Sequence, residues 1–84
     1  MSRPEAPAVA RMIAAYYAKP GNEAGGSCHI VLDDDNVDDD SVAFCLTNCE
    51  ERADEDGAAL MRLFAQMKPT GRRRAISLAH EVIR

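Results

Sequence analysis

Apolar residues recur at helical spacing along most of the chain. Val9, Met12, Ile13, Tyr16 and Tyr17 share one face of the stretch from Glu5 to Ala18, which predicts a first helix. Pro4 and Pro7 fit its first turn, where a missing N–H costs little. "KPGNEAGGS", Lys19 to Ser27, ends it with a proline and three glycines. A second periodic stretch starts at Asn36 or Asp38 and runs to about Arg52. Val42, Cys45, Leu46, Cys49 and Ala53 form its apolar stripe, and Asn36 is its expected N-cap. A third covers about Asp56 to Met67, with Leu60, Leu63, Phe64 and Met67 inward, and Pro69 stops it. A fourth has Thr70 as cap and reaches about Ile83, with Ala75, Ile76, Ala79, Val82 and Ile83 facing the core.

One stretch departs from this period. "CHIVL", Cys28 to Leu32, reads as a short extended segment, yet no second strand is available to pair with it. The expected fold is therefore mainly α, with about four helices and one extended segment at 28–32, in a single small domain spanning 1–84. A hydrophobic fraction of 46% belongs to a globular chain rather than a disordered one. No apolar run approaches the ~18 residues of a membrane span, and the N-terminus lacks the layout of a signal peptide. A cytoplasmic protein is expected. Three cysteines, an odd number, do not make a closed disulfide set.

Charge changes the picture more than composition does. Residues 21–56 carry twelve acids and one base, Arg52, whereas residues 57–84 carry six bases and one acid, Glu81. Six of the acids crowd into eight positions as Asp33, Asp34, Asp35, Asp38, Asp39 and Asp40. Helix capping employs about three acidic or cap residues and dies away within one turn. A calcium loop needs ligands at positions 1, 3, 5 and 12 with Gly at position 6. Starting at Asp34 places Asp39 at position 6 and Cys45 at position 12, so that register fails. A solvated face that only aids solubility is the plainest account of a charge run. Against it, Glu50, Glu51, Asp54, Glu55 and Asp56 place a second acidic group at the far end of the same helix and just past it. A dense carboxylate surface imitates phosphate spacing and attracts Arg- and Lys-lined grooves. The expected partner-binding residues are Asp33, Asp34, Asp35, Asp38, Asp39, Asp40, Glu50, Glu51, Asp54 and Glu55.

Other chemistry is thinly marked. Cys28, His29, Cys45, Cys49 and His80 are soft ligands by type, but their spacing matches no zinc ribbon or finger, and Cys45 and Cys49 fit the apolar stripe. His29 beside the aspartates does not define a nucleophile and base. "GNEAGG" lacks the GK[ST] of a phosphate loop. No catalytic residue, metal or cofactor is expected. In "GRRRA", Gly71 to Ala75, three arginines oppose the dipole of the helix they open, and pairing with the acidic zone, in the same chain or in a second copy, is the expected offset.

"YYAKPGNEAGGSCHIVLDDDNVDDDSVAFC" together with "MKPTGRRRA" resembles a group of small uncharacterised proteins encoded in phages and prophages. Their pattern has a Pro-Gly-Asn and Gly-Gly loop, His-Ile-Val-Leu-Asp-Asp, a capping Asn and a helical Cys. Cys28 and Asp35 stand here where the pattern has an apolar residue and a Gly. The resemblance brings no activity of its own. By analogy, small acidic phage proteins without enzymatic motifs resemble inhibitors of host defence, including anti-CRISPR proteins. The implied function is inhibition of a host protein with a basic groove, such as a CRISPR effector, with no direct nucleic-acid or membrane binding and with a homodimer as the assembly that the charge asymmetry suits. The alternative is a metal-binding accessory or regulatory protein using Asp, Cys and His.

Overall fold

The computed structural model describes residues 4–83. Five α-helices follow one another: α1 Ala6–Tyr17, α2 His29–Leu32, α3 Asp39–Glu51, α4 Glu55–Ala65 and α5 Pro69–Ile83. A 3₁₀ turn at Gly26–Cys28 leads into α2. Helices α1 and α5 form one packed pair and α3 and α4 another, with α2 and its 3₁₀ turn wedged against α3. One buried cluster draws on all five helices, with Ile13, Leu32, Leu60, Met61 and Phe64 fully enclosed. Burying each such side chain contributes about 1.5–3 kcal/mol.

The extended segment expected at 28–32 is helical. Cys28, Val31 and Leu32 are buried while His29 is exposed. That pattern is i, i+3, i+4, whereas a strand would alternate. The physical reason is hydrogen bonding: a lone strand leaves its N–H and C=O groups without partners. A helical turn satisfies them locally, with the Asp33 and Asp34 N–H groups both donating to the His29 carbonyl at 2.8 and 3.0 Å. Asp35 then turns the chain with a left-handed backbone, φ 60°. Upstream, Asn22 Nδ2 donates to the Tyr16 carbonyl at 3.0 Å and ties the glycine loop to the end of α1. A Cβ at Gly26 would lie 2.8 Å from the Tyr16 hydroxyl, so the loop's close approach requires glycine there.

Several boundaries and faces also differ from expectation. Asp38, not Asn36, caps α3: its carboxylate accepts from the Ser41 backbone N–H at 3.3 Å and from the Ser41 hydroxyl at 2.7 Å. Asn36 is exposed, and its main-chain N–H donates to the Ile30 carbonyl. Helix α5 starts at Pro69, so Thr70 lies within its first turn. Met12, Val82 and Ile83 are exposed rather than inward, Val82 at 72%. Ala53 is exposed with φ 56° and closes α3 as the left-handed residue of a Schellman motif, with Asp54 N–H donating to the Cys49 carbonyl and Ala53 N–H to that of Glu50.

Candidate functional site

The ten acids expected to meet a partner divide by what each already does within the fold. Asp38 caps α3. Asp54 caps α4, accepting from the Gly57 N–H at 3.0 Å, and also accepts a 2.6 Å hydrogen bond from the Tyr16 hydroxyl. Asp39 pairs with Arg72 at 2.8 Å, Asp35 with Arg73 at 3.6 Å and Glu50 with Arg62 at 3.2 Å. Asp33, Asp34, Asp40, Glu51 and Glu55 are exposed with no ion-pair partner among the described residues.

Arg72 organises the acidic loop. Its side chain is only 3% exposed. Nε donates to the Phe64 carbonyl at 2.8 Å and one terminal nitrogen to the Val37 carbonyl at 2.7 Å, while the other reaches Asp39. One planar fork thus fastens the end of α4, the loop before α3 and the first turn of α3 to α5. The expected pairing of "GRRRA" with the acidic zone is therefore present within the chain for Arg72 and Arg73. Arg74 has no carboxylate partner among the described residues.

The acids do not merge into one patch. Asp33 to Asp40 lie at the start of α3, and Glu50 to Glu55 at its far end. At 1.5 Å per residue, Asp40 and Glu51 stand about 16 Å apart. They are joined by an exposed stripe: Asp40, Phe44, Thr47 and Glu51 follow at i, i+4, i+7 and i+11. Phe44 is 58% exposed and shares a shallow depression with Ile30, Asp40 and Ser41. It was not among the expected site residues. Its phase could have revealed it, because it lies roughly opposite the Val42, Cys45 and Cys49 stripe on a 3.6-residue helix.

The soft ligands do not converge. His29 is exposed, its Nδ1 lying 3.1 Å from the Gly26 carbonyl. Cys28, Cys45 and Cys49 are buried beneath it in the core, with Cys28 and Cys49 sulfurs 3.4 Å apart. Burial and the neighbouring Cys49 thiol push the Cys28 thiol far above its usual range. No group of three or more His, Cys, Asp or Glu side chains among the described residues is placed to hold a metal ion. An open cleft of about 390 Å³ beside the acidic loop is lined by Asp33, Asp35, Ser77, His80 and Glu81. Near it, burial and the Asp33 carboxylate raise the Tyr17 hydroxyl to about 12, and that hydroxyl has no hydrogen-bond partner among the described residues. No described helix is long and apolar enough to cross a membrane. Comparison with family models, with curated proteins and with solved structures finds no match.

Proposed function

We propose that the chain is a small interaction protein that binds a basic surface of a partner protein through α3. The observation that carries this reading is the exposed stripe Asp40, Phe44, Thr47, Glu51, with Asp33 and Asp34, exposed and without an ion-pair partner among the described residues, before its N-terminal end. Interfaces concentrate their energy in a few aromatic and Arg anchors ringed by polar groups. A half-exposed phenylalanine between carboxylates fits a groove with an apolar floor and basic rims. Carboxylates spaced along a helix substitute for phosphates in such a groove, so the partner is a protein that normally holds nucleic acid. The resemblance to phage-encoded proteins makes that partner a host-defence effector of the CRISPR type, met in the host cytoplasm. The chain would inhibit by occupation, with no catalytic step.

The test is inhibition and affinity together. Capture from a host lysate followed by mass spectrometry identifies the partner, whose affinity is then measured against parent and variants over a range of salt. Phe44→Ala is expected to weaken binding at least tenfold, as loss of a central aromatic anchor does. Asp33→Asn with Asp34→Asn, and Asp40→Asn with Glu51→Gln, should each slow association and flatten its salt dependence. All of these positions are exposed, so circular dichroism should not change. Unaltered affinity in the Phe44 variant and in both charge variants would refute the assignment of this face.

A further inference from the structure

A second surface lies on the other helical pair. An open groove of about 560 Å³ runs between α1 and α5, lined by Pro7, Ala10, Arg11 and Ala14 of α1 and by Arg74, Leu78, Glu81 and the exposed Val82 of α5. Arg74 and Glu81 are seven residues apart, so they share one face of α5 about 10.5 Å from each other. Neither has an ion-pair partner among the described residues. Glu81 is also unfavourably placed for its own helix, because an anion in the last turn opposes the macrodipole.

Both charges are correctly placed for one arrangement. We propose that the groove joins two copies of this chain, α5 against α5 in antiparallel order, with the twofold axis passing between Ser77 and Leu78. In that order Arg74 of each copy faces Glu81 of the other, twice by symmetry, because the two positions are equidistant from the axis. The positive end of one α5 then lies beside the negative end of the other, which offsets the unfavourable placement of Glu81. The two Leu78 side chains meet at the axis, and Val82 is withdrawn from water. Self-complementarity selects the occupant. On α5 the face presents a cation and an anion in the register that its own copy requires, with Arg11 of α1 as a further cation beside them, whereas a purely basic partner would satisfy only Glu81 and a purely acidic one only the arginines. The assembly does not involve the α3 stripe, so either reading can fail without the other.

Sedimentation equilibrium of the purified chain tests it, with circular dichroism as the folding control. A reversible dimer is expected, with a dissociation constant in the micromolar range. Arg74→Glu alone, or Glu81→Arg alone, turns two attractions into two repulsions and should weaken the dimer about tenfold. The double variant Arg74→Glu with Glu81→Arg restores the pairs in reverse and should return to within about threefold of the parent. Val82→Asp should leave a monomer of unchanged helicity, since that side chain is already largely in water in the single chain. A parent that is monomeric throughout the micromolar range would overturn the proposal. So would a dimer that the double variant restores no better than either single one.

Discussion

Replacing Arg72 with Ala removes a side chain that ties the end of α4 and the loop before α3 to α5. Two buried main-chain carbonyls, those of Phe64 and Val37, lose donors held at 2.8 and 2.7 Å, and Asp39 loses its ion pair. An unsatisfied buried acceptor costs about 1–3 kcal/mol, so orphaning both carbonyls costs about 2–6 kcal/mol, while the exposed Asp39 left behind adds little. A chain of 84 residues has a total stability of roughly 4–13 kcal/mol. The variant should therefore lose a large share of it. In urea, with a slope of about 1 kcal/mol per molar, the midpoint should fall by about 3 M. Arg72→Lys keeps the charge but not the fork, so it should recover only part of that loss. Asp39→Asn should cost less than about 1 kcal/mol, because the Asp39 side chain is 85% exposed. These unequal costs carry the reasoning. If Asp39→Asn destabilises as much as Arg72→Ala, ion pairing rather than carbonyl anchoring dominates, and the account of Arg72 is wrong.

Other outcomes follow from single contacts. Gly57→Ala, which would stabilise an ordinary helix by ~1 kcal/mol, should destabilise here, since its Cβ would sit 2.5 Å from Asp54 Oδ2 and 2.7 Å from Cys49 Sγ; Ala53→Gly, relieving a φ of 56°, should stabilise, both read as shifts in thermal midpoint. The Ser41 hydroxyl and N–H hold the Asp38 carboxyl below its ordinary 3.8, so its stabilisation is complete above that value and is lost as pH falls through the lower folded-state value; Asp38→Asn, still a good cap, should remove that acid-side dependence in a thermal-midpoint series, while Asn36→Ala changes stability by less than about 0.5 kcal/mol. The Cys28 and Cys49 thiols, fully buried and held protonated, should resist a thiol-reactive dye until urea unfolds the chain, and fast labelling in native buffer would contradict that placement.

The four long helices were legible because each keeps a steady apolar stripe. The mainly helical class follows from Ile13, Val42, Leu60, Phe64 and Ala75 recurring in phase. The stretch 28–32 was misread because its β-branched, apolar composition outweighed its spacing. Yet Cys28, Val31 and Leu32 stand at i, i+3 and i+4, and the missing partner strand pointed the same way. Asp38 and Asn36 are both good caps by type, and only the position of the first helical turn decides between them. The exposure of Val82 and Ile83 could not be read from α5 alone. A stripe predicts which residues face one way but not whether another helix reaches that far. Arg72 shows the reverse case, in which a charged residue in the stripe of Ala75, Ile76 and Ala79 is buried because its fork finds acceptors on three segments.

Six crowded aspartates repel one another, and the fold disposes of that repulsion unevenly. Asp38, Asp39 and Asp35 have duties inside the chain, as cap and as partners of Arg72 and Arg73. Asp33 and Asp34, on the loop held at Val37 by a buried arginine, and Asp40, in the first turn of α3, have no ion-pair partner among the described residues. Holding the loop fixes where those carboxylates stand before any partner arrives, so less ordering entropy is lost on binding. It also prevents the loop from relaxing to spread its charges, which keeps the local potential strong and the approach of a basic surface fast. Acids with structural duties and acids assigned to the proposed interface are therefore interleaved in one run, and they separate by experiment. Neutralising Asp39 or Asp35 should act mainly on stability, whereas neutralising Asp33, Asp34 or Asp40 should act mainly on association rate. An equal effect of all five on both quantities would show that the loop works only as a diffuse cloud of charge.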